Sequence, residues 1–242
     1  MTALRAPLKA LAALLLYPEE GLRAAMPEVA AILRAPGLPP EAVAAAEFAE
    51  HLAAAAPLEA EGAYVGLFDG APSLSLYLFQ HVHGDDRDRG AAMAALIDDY
   101  RAAGLELAGE ELPDFLPVFL EYAATRPDEA EARALLGEIS DIVALLALRL
   151  EGRGAAGYAA VMRALGALAA RPADAEAVAA RVAEDVPDHT PEALDAAYEE
   201  APVSFMEPVA PNEPCPKAAE IVARFEAAAA DAAAGTDKPR RA

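Results

Sequence analysis

Apolar residues in this chain recur at three- and four-residue spacing, and Pro or Gly repeatedly cuts the pattern short. That combination leaves a set of short packed helices as the available fold, because turn-bounded period-two alternation, the mark of strands, is missing throughout. Leu4, Leu8, Leu11 and Leu15 set the pattern, and their helix must stop at Tyr17-Pro18, since a residue before proline avoids helical geometry. A second helical piece, Leu22 to Leu33, is interrupted by Pro27, and the loop from Ala35 to Pro40 leads into a helix from Glu41 to Ala55. Val43, Phe48 and Leu52 are its core candidates. Pro57 breaks the chain again, and a helix from Leu58 carries Tyr64, Leu67 and Phe68 to the turn Asp69-Gly70-Ala71-Pro72. Farther on, Asp128 and Glu131 form a capping box for one long helix to about Leu150, with Gly137 inside it and Leu135, Ile139, Ile142, Leu146 and Arg149 along one side. Gly152, Gly154 and Gly157 turn into a last core helix, Tyr158 to Ala169.

The stretch from Tyr64 to Ala123 carries most of the specific information. A helix opening behind Ser73 puts Leu74, Leu78 and Val82 on one stripe and Leu76 and Phe79 on another, with Tyr77 between them. Apolar on nearly all sides, it belongs among other helices. Gly84 stops it, and Asp85-Asp86 cap a following helix whose Met93, Leu96, Ile97 and Tyr100 form a single stripe ending at Gly104. Two prolines four residues apart constrain the next segment. With Asp114 as N-cap, Pro117 falls within the first turn, where its missing N–H has no partner to lose, and Leu116, Phe119, Leu120 and Ala123 face inward.

Composition supports an all-α chain and narrows its partners. Ala supplies much of the 55% apolar content, aromatics are few, and Trp is absent, so little sheet-forming material exists. The expected architecture is a single helical domain of about eight helices over residues 1–170, an acidic, Pro-rich extended tail over 171–216, and a short Ala-rich helix with a disordered end over 217–242. Residues 171 to 214 hold eleven acids against two arginines, and Ala201 to Met206 is an apolar island able to dock on the core. A formal charge of −21 disfavours nucleic acid and anionic lipid and favours a basic peptide or protein. One cysteine, Cys215, excludes an intrachain disulfide and a thiolate zinc cluster. No apolar run approaches the roughly 20 residues of a membrane-spanning helix, and Tyr17-Pro18-Glu19-Glu20 replaces the cleavage site a signal peptide would carry, so a cytoplasmic location is expected.

Catalytic chemistry finds little support. A G-x-S-x-G elbow, a dinucleotide fingerprint and a phosphate loop are all missing from the sequence. His81 and His83 with Asp85 and Asp86 offer a metal-dependent enzyme as the alternative, but residues two apart on a helix point about 200° from each other. A histidine closing a helix is the simpler account of His81, while His51 and His189 read as surface residues. The binding reading groups Tyr64, Phe68, Tyr77, Phe115 and Phe119 as a groove, with Asp69, Asp85, Asp86, Glu111 and Asp114 on its rim, suited to an amphipathic basic helix. No cofactor is expected.

The runs LFD…LYLFQHVHGDDRDRG and ELPDFLPVFLEY resemble the NarJ-type assembly chaperones of respiratory nitrate reductase, within the wider TorD-like family of molybdoenzyme maturation chaperones. The resemblance extends from about residue 8 to 168, with an echo at APVSF near residue 203. In that family an acidic residue, a Pro and an Asp-His pair open the corresponding helix; Glu111, Pro113 and Asp114 fit, and Phe115 stands in place of the His. The resemblance implies a system-specific chaperone that binds the N-terminal segment of the apo catalytic (alpha) subunit of nitrate reductase and assists molybdenum cofactor insertion before membrane attachment. It implies no catalysis, and it adds cofactor-biosynthesis proteins as further partners. A related client, such as a selenate, chlorate or hydrocarbon-oxidising molybdoenzyme, is the neighbouring reading. The client site it implies comprises Tyr64, Phe68, Tyr77, His81, Asp85, Asp86, Arg87, Glu111, Pro113, Asp114, Phe115 and Phe119.

Overall fold

In a computed structural model of the chain, the leucine repeat Leu4, Leu8, Leu11 and Leu15 is fully buried on and beside the first helix, α1 (Arg5–Ala13). Residues 3–82, 88–107, 109, 111–185 and 190 are described. The chain falls into two units, Met1–Tyr198 and Glu199–Ala242, and the described residues all belong to the first. His83, Gly84, Asp85, Asp86, Arg87, His189, the island Ala201 to Met206 and the expected C-terminal helix lie outside the described residues.

Helices α2 (Glu20–Leu33), α3 (Glu41–Ala54), α4 (Pro57–Phe68), α5 (Asp88–Ala102) and α6 (Leu116–Ala124) follow in order. Helices α7 (Glu129–Glu138), α8 (Ser140–Gly152), α9 (Ala156–Leu168) and α10 (Ala175–Ala183) complete the described elements. Helix α3 packs between α2 and α9, α8 lies against α9, α10 against α8, and α1 is held by α2 and α6. Ala42, Ala45, Ala46 and Ala49 are the buried face of α3, and side chains this small let its neighbours approach closely. That choice of face turns Val43, expected in the core, to solvent at 45% exposure.

Several expected boundaries differ, each for a packing reason. Pro27 does not interrupt α2: the proline is exposed, and burial of Met26, Val29, Ala30 and Leu33 along another face outweighs its lost backbone bond. The single helix expected from Asp128 to Leu150 is two, α7 and α8, parted at Ile139 (φ −100°, ψ 5°). Chain after α9 crosses there: the Ala170 N–H donates to the Arg133 carbonyl (2.9 Å), and a Cβ on Gly137 would stand 3.3 Å from the Arg171 nitrogen. Gly137 therefore serves a close backbone approach. Asp128 caps α7 as expected, accepting from the Ala130 N–H. Helix α10 lies inside the stretch read as extended; Asp174 caps it by accepting from the Glu176 and Ala177 N–H groups, and Val178 anchors it in the core. The described residues hold ten α-helices, with no strand longer than an isolated bridge.

Gly104 (φ 75°) ends α5 in the left-handed geometry the sequence suggests, with the Leu105 N–H reaching back to the Tyr100 carbonyl (2.9 Å). Gly157 has a different purpose. A Cβ there would fall 2.1 Å from the Phe48 ring, which packs edge-on against Tyr158 at 4.6 Å. Gly157→Ala, ordinarily a gain of about 1 kcal/mol inside a helix, is expected instead to destabilise by about 1–2 kcal/mol through overpacking. Urea unfolding reads the sign directly, and a more stable variant would mean that the Phe48 ring yields freely.

Candidate functional site

The helix expected to open behind Ser73 does not form. Pro72–Leu74 is one 3-10 turn, Leu78–His81 another, and the backbone between them is extended. The physical reason lies across the fold, in the segment before α6. The Leu116 N–H donates to the Leu76 carbonyl (2.8 Å), the Leu78 N–H donates to the Asp114 carbonyl (2.9 Å), and Tyr77 and Phe115 form an antiparallel bridge. Those pairings use backbone groups that a helix would have closed locally, and Ser75 Oγ accepts the Tyr77 N–H (3.2 Å) in the same cause.

Asp114 is consequently not the N-cap of α6. That place belongs to Phe115, without a side-chain cap, and Pro117 stays in the first turn where its missing N–H costs nothing. The Asp114 carboxylate is wholly buried, and its Oδ2 accepts the Phe79 N–H (3.1 Å). Arg89 stands 4.0 Å from the same oxygen, and Oδ1 has no hydrogen-bond partner among the described residues. Burial pushes the Asp114 carboxyl above the ordinary carboxylate range; the Phe79 N–H and Arg89 oppose that shift without cancelling it. Asp114 thus fastens the two non-helical segments together from inside.

This fastening presents the aromatic residues. Tyr77 and Phe115 stack with ring centres 5.3 Å apart, and the Tyr77 hydroxyl donates to Glu111 Oε2 (2.7 Å). Burial and then the Glu111 bond push the Tyr77 phenol up to about 12. Tyr64 packs on Phe68 at 4.9 Å and on Tyr17 at 5.6 Å, and its hydroxyl donates to the Leu15 carbonyl (3.0 Å). Tyr64, Phe68, Tyr77, Glu111 and Phe115 line a single cleft of about 380 Å³. A second cleft, about 460 Å³, is bounded by Leu105, Leu107, Val118 and Tyr122. Leu16, Glu111 and Phe115 line both.

Other expected site residues lie elsewhere. Phe119 is buried in the core, Pro113 is buried with its carbonyl accepting the Tyr100 hydroxyl (2.7 Å), and Asp114 lies beneath the clefts. His81 is half-buried; its Nε2–H donates to the Ser75 carbonyl (2.7 Å), which fixes the tautomer, and burial lowers its pKa. The remaining members of the alternative metal set lie outside the described residues; among those described, no group of three or more His, Cys, Asp or Glu could hold a metal ion. Leu16, Tyr17 and Glu19 were not among the residues grouped from sequence, yet they line the first cleft. Leu16 falls off the Leu4–Leu15 stripe, and that was the readable sign that it faces elsewhere. A further pocket, about 920 Å³, lies between α3, α4 and α9 around Phe48 and Gly157, and none of the grouped residues that are described lines it. No described helix is long and apolar enough to cross a membrane.

These features define an all-α protein presenting an acid-rimmed aromatic cleft. The nitrate reductase delta subunit family matches residues 36–156, and the chain belongs to it. A nitrate reductase molybdenum cofactor assembly chaperone, NarJ, of Escherichia coli K12 is 43% identical over 195 residues, covering 80% of this chain and 82% of that relative. The probable chaperone NarW of the same strain is 37% identical over 200 residues, 83% of this chain and 84% of its own. A probable NarJ of Bacillus subtilis 168 is 34% identical over 142 residues, 59% of this chain and 77% of its own.

Proposed function

We propose that this chain is a cytoplasmic assembly chaperone for the catalytic subunit of a respiratory nitrate reductase. It acts by binding rather than by catalysis. It holds the N-terminal segment of the apo subunit, keeps that subunit from membrane attachment, and releases it once the molybdenum cofactor is in place. The observation that carries this reading is the 43% identity to a chaperone of that name over four-fifths of both chains. The paired clefts supply a physical means: apolar walls take apolar side chains, and acids at the rim attract a basic segment.

Affinity capture of the chain from cells expressing the apo catalytic subunit, with and without its N-terminal segment, tests the assignment. Retention of the full subunit and loss of the truncated one is the expected result; capture of both alike would remove the N-terminal segment from the reading. Charge and burial should also separate. The Debye length shrinks from about 10 Å at 0.1 M salt to about 3 Å at 1 M, so affinity for the client's N-terminal peptide should fall over that range without vanishing. Calorimetry should give a negative heat-capacity change from the apolar part. Binding indifferent to salt would show that the acids take no part.

A further inference from the structure

Exposed large apolar side chains gather at these clefts. Leu16 and Tyr17 line the first, Leu16 and Leu107 the second, and Leu112, 45% exposed, follows Glu111 directly. A soluble surface keeps such residues together chiefly where something covers them. The acids are arranged around the same place. Glu19 and Asp69 line the first cleft, Glu106 and Glu121 the second, and Glu111 alone among the described acids lines both. Arg5 and Lys9, on α1, add positive charge only to the second cleft.

Glu111 is also the acid whose carboxylate is held in place. Its Oε2 accepts the Tyr77 hydroxyl, while Tyr77 is itself fixed by its stack on Phe115 and by the backbone bridge between the two residues. A carboxylate offers about four acceptor positions, so one hydroxyl leaves room for a cation. Holding the carboxylate beforehand removes part of the ordering cost of binding.

Resting on the client-binding reading above, we infer that Glu111 is the cation anchor of a two-cleft recognition site, with Tyr77 as its positioning residue. The occupant is an amphipathic segment of the client carrying a Lys or Arg between apolar side chains. The cation meets Glu111 at the wall the two clefts share, and the flanking apolar residues enter the clefts on either side of Phe115. The net acid excess around the clefts favours such a segment over a neutral apolar one.

The test uses the full chain and a synthetic peptide of the client's N-terminal segment, with each Lys or Arg replaced in turn by norleucine. One replacement should weaken binding to the wild type by about tenfold or more, the scale of a hydrogen bond to a charged group. Against Glu111→Gln the same replacement should change nothing, and against Tyr77→Phe it should cost only a few-fold, while thermal melts of both variants match the wild type. The comparison between two peptides cancels any general weakening of the fold. If the wild type binds the parent peptide and discrimination survives intact in Glu111→Gln, or no replacement matters, the anchor is refuted and the client reading stands. Undiminished discrimination in Tyr77→Phe would remove the positioning role. If the wild type binds no version of the peptide, the client reading fails and takes this inference with it.

Discussion

Phe115→Ala is expected to lower stability by about 3 kcal/mol, the lower end for truncating a buried phenylalanine. Phe115 is 7% exposed, forms the N-cap position of α6, stacks on Tyr77 and pairs with it through the backbone. Truncation removes the wall the two clefts share and the support of the Tyr77 ring, so client-peptide binding should be lost together with stability. Phe115→Leu separates the two effects. It keeps most of the buried volume, should cost about 1 kcal/mol, and should still weaken peptide binding because the flat ring is gone. Chemical unfolding beside a peptide titration measures both. A Leu variant that binds as tightly as wild type would show that the ring contributes packing only.

The second large effect belongs to Asp114, and it runs against the usual behaviour of an aspartate. Asp114→Ala removes the carboxylate that accepts the Phe79 N–H and should cost about 1–3 kcal/mol. Asp114→Asn keeps an acceptor at that place and removes the buried charge. The sign with pH follows from the direction of the shift. Burial raises the folded-state pKa, so the folded form holds its proton more readily than the unfolded form, whose value stays near 3.9. The residue's contribution therefore becomes more favourable as pH falls through the raised folded value, and stops changing below the unfolded one. Relative to wild type, Asp114→Asn should be most stable at neutral pH and lose that advantage as pH falls toward 4. Unfolding both proteins at pH 7 and pH 4 compares the differences. An offset equal at the two values would place the Asp114 pKa in the ordinary range.

Much of the core was legible. The Leu4–Leu15 repeat, the Leu116 and Leu120 face, the Asp128 cap and the Gly104 stop each follow from local rules, and each appears in the structure. The candidate site was half legible. Tyr64, Phe68, Tyr77, Glu111 and Phe115 do meet in one cleft, but Phe119, Pro113 and Asp114 belong to the interior beneath it. An apolar or aromatic residue at helical spacing carries the same signal whether it lines a groove or fills a core.

By itself, the sequence determined that this chain is helical and strongly acidic, and where most helices start and stop, because spacing, caps, prolines and net charge are local or additive properties. Only the tertiary structure decided that residues 75–77 leave the helical state. Local periodicity favours a helix there, and hydrogen bonds from Leu116 and Leu78, closed only once distant segments meet, override it. The same long-range contacts fixed that Asp114 is buried and that Phe115 lines the clefts. Those choices depend on partners some forty residues away along the chain, as with Leu116 and Leu76, and no window of neighbouring residues contains them.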